Sequence, residues 1–196
     1  MCSVSDQERQ SAHGLDALGR VSVLIAPNHF HHLALPAFRA RYPQARVLAA
    51  SGAIPRLRAK GHAGLEPIED ATLPPGLRAC VAEGTRTGET FLVCDDGIER
   101  SLLVCDAFFH VNTPVRGLVG AFLHATQTTP GLKMGRTFKY MALADAAAYR
   151  RWATETLRGV SPQRVLFSHG EPLVGTDVVP RLLAAIDERL GRAGRP

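Results

Sequence analysis

Short apolar runs, each ended by residues that break regular structure, recur along the chain and predict strands. The first run, VSVLIA at 21–26, ends abruptly at Pro27 and Asn28, which is typical of a buried strand. Residues 35–41 then place Leu, Phe and Arg at roughly helical spacing, with Pro36 in the first turn, and predict a helix. The turn between these two elements therefore lies at the carboxyl end of a strand.

The next segments continue this alternation of strand and helix. RVLAAS at 46–51 predicts a second short buried strand, and residues 53–60 predict a short basic helix that Gly61 ends. Strands and helices that alternate over short connections are typical of a parallel α/β core. Ahead of them, residues 5–20 carry a weak amphipathic pattern and predict a helix, whereas the Gly- and Pro-rich stretch 62–77 predicts a loop.

The pattern changes in the middle of the chain, where residues 78–83, 90–94 and 98–105 predict three strands. The last two flank Asp95-Asp96-Gly97, and Asp-Gly between apolar runs is a strong signal for a hairpin. This region should therefore be antiparallel. Asp106 directly follows the third strand, where an acidic side chain is either a metal ligand or general base, or a cap of the following turn.

The last third of the chain returns to helices around one more strand. Three helices are predicted, at 113–126, 142–158 and 176–191. GLKMGRTFKYM at 131–141 predicts a mobile basic loop near the site. RVLF at 164–167 predicts a short strand that ends at His169, so it repeats the first pattern of a strand followed by a histidine. Residues 192–196 should be a frayed tail.

Composition narrows the class of protein. The chain has 196 residues, is 45% hydrophobic and carries a formal charge of +5, which suits one globular domain over 1–196. Its excess arginine is spread along the chain, which argues against nucleic acid as a partner. Four cysteines form no CxxC pair, so we expect a reducing, cytoplasmic location. We find no signal peptide and no apolar run of roughly 18–20 residues, so no membrane association is expected.

The residues that follow the predicted strands are types that bind metals. His29, His31 and His32 fill the first turn, and Asp106 and His169 follow two later strands. Open α/β folds bind ligands at the carboxyl ends of their strands, and imidazole and carboxylate together suit zinc or iron. Clustered histidines that are simply solvated are the alternative interpretation of the first turn.

The order of these residues resembles that of the metallo-β-lactamase fold superfamily. Its His-x-His-x-Asp-His signature matches Pro27 to His32, its later Asp matches Asp106 in LLVCDAFF, and its final histidine matches His169 in VLFSHGEP. Asn28-His29-Phe30-His31-His32 is also similar to the Asn-x-Phe-His-His turn of an uncharacterised branch. The resemblance implies an α/β fold, an αββα sandwich of two sheets between helices, with its metal ligands on loops at strand ends.

The sequence departs from the superfamily signature at several ligand positions. Pro27 replaces the first histidine, His31 replaces the Asp, and Thr85 replaces the histidine of a later Gly-His-Thr turn. Of the three ligands of one ion in two-metal members, only His29 remains. The resemblance therefore implies one divalent metal, zinc rather than iron, held by four residues: His31, His32, Asp106 and His169. His29 would be an extra ligand or would support one.

If the metal keeps an open position, these ligands imply a metal-dependent hydrolase acting through a metal-activated water on an ester, thioester, lactone or phosphoester, with Asp106 as ligand or proton acceptor. A closed four-ligand site would instead be structural. The alternative is a degenerate member of the fold that binds a metal or small ligand without turnover, and iron redox chemistry is a third hypothesis. The basic segment Lys133 to Lys139 favours an anionic small-molecule substrate. Cys105 is either an inert core thiol or a soft ligand. The remaining histidines should lie at the surface or behind the ligands: His13, His62, His110 and His124.

The superfamily normally begins with an antiparallel hairpin, and the sequence ahead of the first strand predicts none. Either the protein has lost this hairpin, or the sequence does not begin at the native start. Loss would leave one sheet edge exposed, and a second copy of the chain, as a homodimer, would cover it.

Overall fold

The computed structural model describes residues 14–113 and 115–191. The chain divides into two compact units, Met1–Ala71 and Thr72–Pro196. Of the helix predicted over 5–20, residues 14–18 are helical and residues 5–13 lie outside the described residues, as does the predicted tail over 192–196.

The first unit is built on a parallel three-stranded sheet in the order β1-β2-β3. Its elements are β1 (Val23–Ala26), α1 (Leu35–Arg41), β2 (Arg46–Ala49), α2 (Ile54–Ala59) and β3 (Leu65–Pro67). The central strand is the most buried, because Val47, Leu48 and Ala49 are covered on both faces. The predicted parallel α/β alternation is confirmed. The predicted loop over 62–77 is wrong in part, because β3 lies inside it and pairs with β2.

The second unit contains a five-stranded sheet in the order β10-β9-β6-β5-β4 and a separate pair, β7-β8. Its strands are β4 (Leu77–Val81), β5 (Thr90–Asp95), β6 (Arg100–Val104), β7 (Phe109–Val111), β8 (Gly131–Lys133), β9 (Arg164–Phe167) and β10 (Leu173–Val174). Neighbours in the larger sheet are antiparallel, except that β6 and β9 run parallel. The predicted antiparallel middle of the chain is confirmed.

The hairpin between β5 and β6 closes at the predicted Asp-Gly turn. Asp95 Oδ1 accepts a hydrogen bond from the backbone N–H of Gly97, at 3.0 Å, and Asp96 Oδ1 accepts from Ile98 and Glu99, at 2.9 and 2.8 Å. These side chains satisfy the N–H groups that the turn removes from the ladder, which is why acidic residues suit this position.

Helices complete the second unit: α3 (Gly117–Ala125), a π-helix (Phe138–Ala142), α4 (Ala146–Val160) and α5 (Val178–Leu190). Asp145 caps α4, since its Oδ1 accepts the N–H groups of Ala147 and Ala148, both at 2.9 Å. Helix α4 buries Tyr149 and Leu157 against the sheet. The core also contains the aromatic rings of Phe91, Phe108 and Phe138, and the partly buried Trp152 packs against it.

Two sequence predictions need correction here. The segment 131–141 is not a loop, because it forms β8 and most of the π-helix, and it buries Met134 and Phe138 in the core. The helix predicted to begin at residue 113 begins at Gly117 instead. In the described parts of the chain, no helix has the length and apolar character that a membrane crossing requires.

Candidate metal centre

The register of the second unit's sheet brings Asp106 and His169 together. In the parallel pair of β6 and β9, Val104 lies opposite Phe167. Asp106 and His169 each follow two residues later, so they leave the same sheet edge side by side. His169 Nε2 lies 3.1 Å from Asp106 Oδ1, and both side chains are half-buried. Two of the predicted metal ligands thus meet in this unit.

The geometry of this pair fits a metal ion. Two ligand atoms on one tetrahedral zinc ion lie about 3.3 Å apart at the shortest, given metal–ligand distances of about 2.0–2.2 Å. The observed 3.1 Å is close to that value, and one imidazole nitrogen with one carboxylate oxygen is a donor set that zinc and iron accept. The same two atoms form an ion pair when His169 is protonated.

His169 is held by a ring contact and by a backbone hydrogen bond. The Phe109 ring is stacked on it, with centroids 5.0 Å apart and the planes 12° from parallel. The backbone carbonyl of His169 accepts the N–H of His110 at 3.1 Å, and the His110 ring lies 2.8 Å from the Glu171 carbonyl through Nδ1. His110, predicted to lie at the surface or behind the ligands, is buried behind His169.

Glu89 supports the turn at Asp106 through hydrogen bonds, and this role was not predicted from the sequence. This carboxylate is fully buried, and its Oε1 accepts the backbone N–H groups of Asp106, at 2.9 Å, and Ala107, at 3.1 Å. Burial raises the pKa of Tyr149, and the nearby negative charge of Glu89 raises it further. The available sequence signal was an acidic residue directly ahead of an otherwise apolar strand, β5.

Cys105 behaves as a core residue rather than as a reactive thiol. It is buried, and burial raises the pKa of its thiol strongly, with the neighbouring Glu89 and Asp106 charges adding to the effect. A protonated thiol is a poor metal ligand and nucleophile. Thr85, which the sequence resemblance aligns with a superfamily histidine, donates its hydroxyl to the Ala82 carbonyl at 3.0 Å.

The three predicted histidines of the first unit lie in a turn that Asn28 holds. Asn28 is fully buried, and its Oδ1 accepts the backbone N–H groups of Phe30, at 2.8 Å, and His31, at 3.2 Å. The His29 ring is buried, and those of His31 and His32 are half-buried. A cavity of about 540 Å³ adjoins this turn, and its lining is mostly apolar: Leu24, Ile25, Phe30, His31, His32, Leu33, Ala34, Leu35 and Phe38.

Both ring nitrogens of His32 have close polar neighbours. Nδ1 lies 2.9 Å from His62 Nε2, and Nε2 lies 3.0 Å from Lys60 Nζ. Burial lowers the pKa of His32, and the charge of Lys60 lowers it further. Burial together with the charge of Arg39 lowers the pKa of His62. These contacts hold His32 in its neutral form, and a metal ion would have to displace Lys60 or His62 to reach it.

Comparison with solved structures identifies the fold. A metallo-β-lactamase from Pontibacter korlensis matches 92% of this chain and 76% of its own, with a TM-score of 0.61 and 12% identity. The DIM-1 metallo-β-lactamase matches 92% of this chain and 74% of its own, with a TM-score of 0.60 and 11% identity. A metallo-β-lactamase from Hirschia baltica matches 91% and 74%, with a TM-score of 0.50 and 12% identity.

No family model matches the chain, and no curated protein matches it. Identities of 11–12% are evidence of a shared fold and carry no activity with them. The chain therefore has the mixed α/β fold of the metallo-β-lactamase superfamily, as its sequence predicts.

Proposed function

We propose that the protein is a metal-dependent hydrolase that uses one divalent metal ion to cleave an ester, a thioester, a lactone or a phosphoester. The observation that carries this proposal is the Asp106–His169 pair, 3.1 Å apart at the carboxyl ends of two neighbouring strands, in a chain with this fold. An imidazole and a carboxylate at such a sheet edge are suited to hold a catalytic metal.

The proposed ligands are Asp106 and His169, together with His31 and His32 from the sequence prediction, and zinc is preferred to iron. Zinc bound there would lower the pKa of a coordinated water to about 7 and so supply hydroxide at neutral pH. Asp106 serves as a ligand or accepts the proton that the water releases. Phe109 keeps the His169 ring in one orientation, which favours a fixed site over a mobile one.

A specific observation also favours the second candidate, a member of the fold that binds a ligand without turnover. Lys60 Nζ and His62 Nε2 lie against the two ring nitrogens of His32, and the sequence resemblance aligns Thr85 with a superfamily histidine. If His32 stays in these contacts, fewer protein ligands remain for a metal ion.

Elemental analysis of the purified chain tests the proposal. The parent is compared with a His31→Ala, His169→Ala double variant and with His124→Ala, which removes an exposed histidine of α3. We expect about one zinc or iron per chain in the parent and in the control, and a large loss in the double variant.

No metal in the parent, even after zinc or iron is added, would contradict the proposal. The second candidate, ligand binding without turnover, would then be favoured. Equal metal content in the parent and the double variant would contradict the ligand assignment. A metal-loaded parent is then screened against ester, thioester, lactone and phosphoester substrates beside Asp106→Asn. Hydrolysis that Asp106→Asn retains in full would contradict the role of Asp106.

A further inference from the structure

Two cationic side chains converge on the histidine turn of the first unit. Arg56 lies on α2, and Lys60 is the residue that directly follows this helix. The two are four residues apart, about one helical turn, so their side chains leave the same face. Arg56 Nη1 lies 3.3 Å from His29 Nε2. Lys60 Nζ lies 3.1 Å from the His29 carbonyl and 3.0 Å from His32 Nε2.

Neither cation is neutralised by a carboxylate within the described part of this unit. Other arginines of the unit do have acidic partners, since Arg41 pairs with Asp16 and Arg46 with Glu66. Glu69 is held by the backbone N–H and the hydroxyl of Ser51. The partners of Arg56 and Lys60 are imidazole nitrogens and a carbonyl oxygen, which accept hydrogen bonds but carry no negative charge.

The hydrogen-bond chain through His32 fixes the Lys60 ammonium. Lys60 Nζ has no acceptor lone pair, so it donates to His32 Nε2, and the ring proton on His32 Nδ1 is then directed at His62 Nε2. Two of the three ammonium protons are then used, on His32 and on the His29 carbonyl, and one remains. Arg56 uses one of its five N–H donors on His29. The remaining donors of both side chains are therefore held at one turn, where the described part of this unit places no carboxylate against them.

We propose that Arg56 and Lys60 form an oxyanion-binding site that takes a phosphate or carboxylate group beside the histidine turn. This inference rests on the proposed function only where it identifies the bound group as part of the substrate. Anion binding by these two side chains needs no metal. Charge-assisted hydrogen bonds from a guanidinium and an ammonium are the interactions that recognise such groups. The substrate is therefore anionic, and α2 and its C-cap, rather than the segment 133–139, recognise its charge.

Titration of the full chain with inorganic phosphate, followed by the ³¹P line width, tests the site. The chain is examined after treatment with a chelator and again after loading with zinc. Lys60→Gln and Arg56→Gln remove the two donors, Lys60→Arg retains the charge, and Arg58→Gln removes an equal charge from an exposed position of α2. Thermal unfolding of each variant is measured in parallel.

We expect Lys60→Gln and Arg56→Gln each to weaken phosphate binding about tenfold or more, with and without zinc. Lys60→Arg and Arg58→Gln should stay within about threefold of the parent. Equal loss in Arg58→Gln would overturn the site, because any charge on the helix would then suffice. Unchanged phosphate affinity in Lys60→Gln, with or without a lower melting temperature, would also overturn it and leave Lys60 a structural support of the turn.

Phosphate binding that appears only with zinc and is insensitive to both glutamine variants would place the anion on the metal and overturn the inference. If Lys60→Gln and Arg56→Gln weaken phosphate binding but the protein never acquires metal, the anion site stands and the proposed hydrolase function is refuted instead. The two proposals therefore fail separately.

Discussion

The buried carboxylate of Glu89 holds the backbone of Asp106 through a 2.9 Å hydrogen bond to its N–H, and the same oxygen accepts the N–H of Ala107 at 3.1 Å. An ionised side chain inside a core is costly unless hydrogen bonds compensate it. Here the two N–H groups lie directly beyond β6, at the point where the chain leaves the sheet. Glu89 therefore fixes the direction in which Asp106 leaves the strand and faces His169.

Replacing Glu89 should weaken both the fold and the metal site. Glu89→Ala leaves two N–H groups without their acceptor, at about 1–3 kcal/mol for each one that water does not reach. Loss of a residue that orients a ligand typically lowers metal affinity about 10–100-fold. Glu89→Gln retains an acceptor oxygen and removes the buried charge, so we expect near-parental zinc affinity and no loss of stability. Zinc competition and thermal unfolding measure the two effects.

The control for this series is Glu83→Ala, which removes an exposed carboxylate before β5 and should change neither quantity. Zinc affinity that falls equally in the glutamine and alanine variants of Glu89 would show that the negative charge, rather than the hydrogen bonds, supports the site.

Cys105 should resist alkylation in the native protein. Burial raises the pKa of its thiol far above the ordinary range, so at pH 8 the reactive thiolate is scarce. We expect iodoacetamide to modify Cys105 only after unfolding in guanidinium, as followed by peptide mass spectrometry. Cys105→Ala should retain its metal. Native labelling of Cys105 as fast as that of half-buried Cys94, or loss of metal in Cys105→Ala, would restore the soft-ligand hypothesis.

The sequence predicted the strand-end residues well, because that information is local. An apolar run followed at once by Asp106, and another followed by His169, marks the carboxyl ends of two strands whatever the rest of the chain does. The superfamily resemblance then supplied the order in which the candidate ligands occur along the chain, whereas the pairing of β6 with β9 is a finding of the structure. The Asp-Gly hairpin was predictable for the same local reason.

Contacts that depend on tertiary packing were not predictable in this way. The approach of Lys60 and His62 to His32 depends on how α2 packs beside the first turn, across about thirty residues of chain. Nothing in the local pattern separates that lysine from Arg58, two positions earlier, for which the described residues provide no such contact. Glu89 was missed because its acceptor role depends on Asp106, 17 residues away.

The segment 131–141 was misjudged because its glycines and lysines suggest a loop. Its apolar residues Met134, directly after β8, and Phe138, at the start of the π-helix, are both buried in the core. These apolar residues were a better guide there than the glycines and lysines.

Asp96 should make stability depend on acid pH. Hydrogen bonds from the backbone N–H groups of Glu99 and Ile98 lower its pKa in the folded protein. Its ionised form therefore stabilises the fold above the unfolded pKa of about 3.9, and this contribution is lost as pH falls through the lower folded value. Asp96→Asn keeps an acceptor oxygen without titrating. We expect the advantage of the parent over this variant, in melting temperature, to be constant near neutral pH and to shrink below about pH 4. An advantage that grows on acidification would contradict the assignment.

The basic side chains of the segment 133–139 should contribute little to anion binding. Lys133 Nζ pairs with Glu188 Oε1 at 2.7 Å, and Lys139 Nζ donates to the Arg189 carbonyl at 3.3 Å, so both are directed to α5. The pair with Glu188 is partly exposed and is worth about 0.2–1 kcal/mol at most. A triple variant, with Lys133, Arg136 and Lys139 all changed to Ala, should therefore lose little stability and keep its phosphate affinity within about twofold. The triple variant loses three positive charges, whereas Lys60→Gln loses one. It therefore tests whether net charge alone determines phosphate affinity. If the triple variant weakens phosphate binding as much as Lys60→Gln does, the charge that selects the substrate lies in the second unit after all.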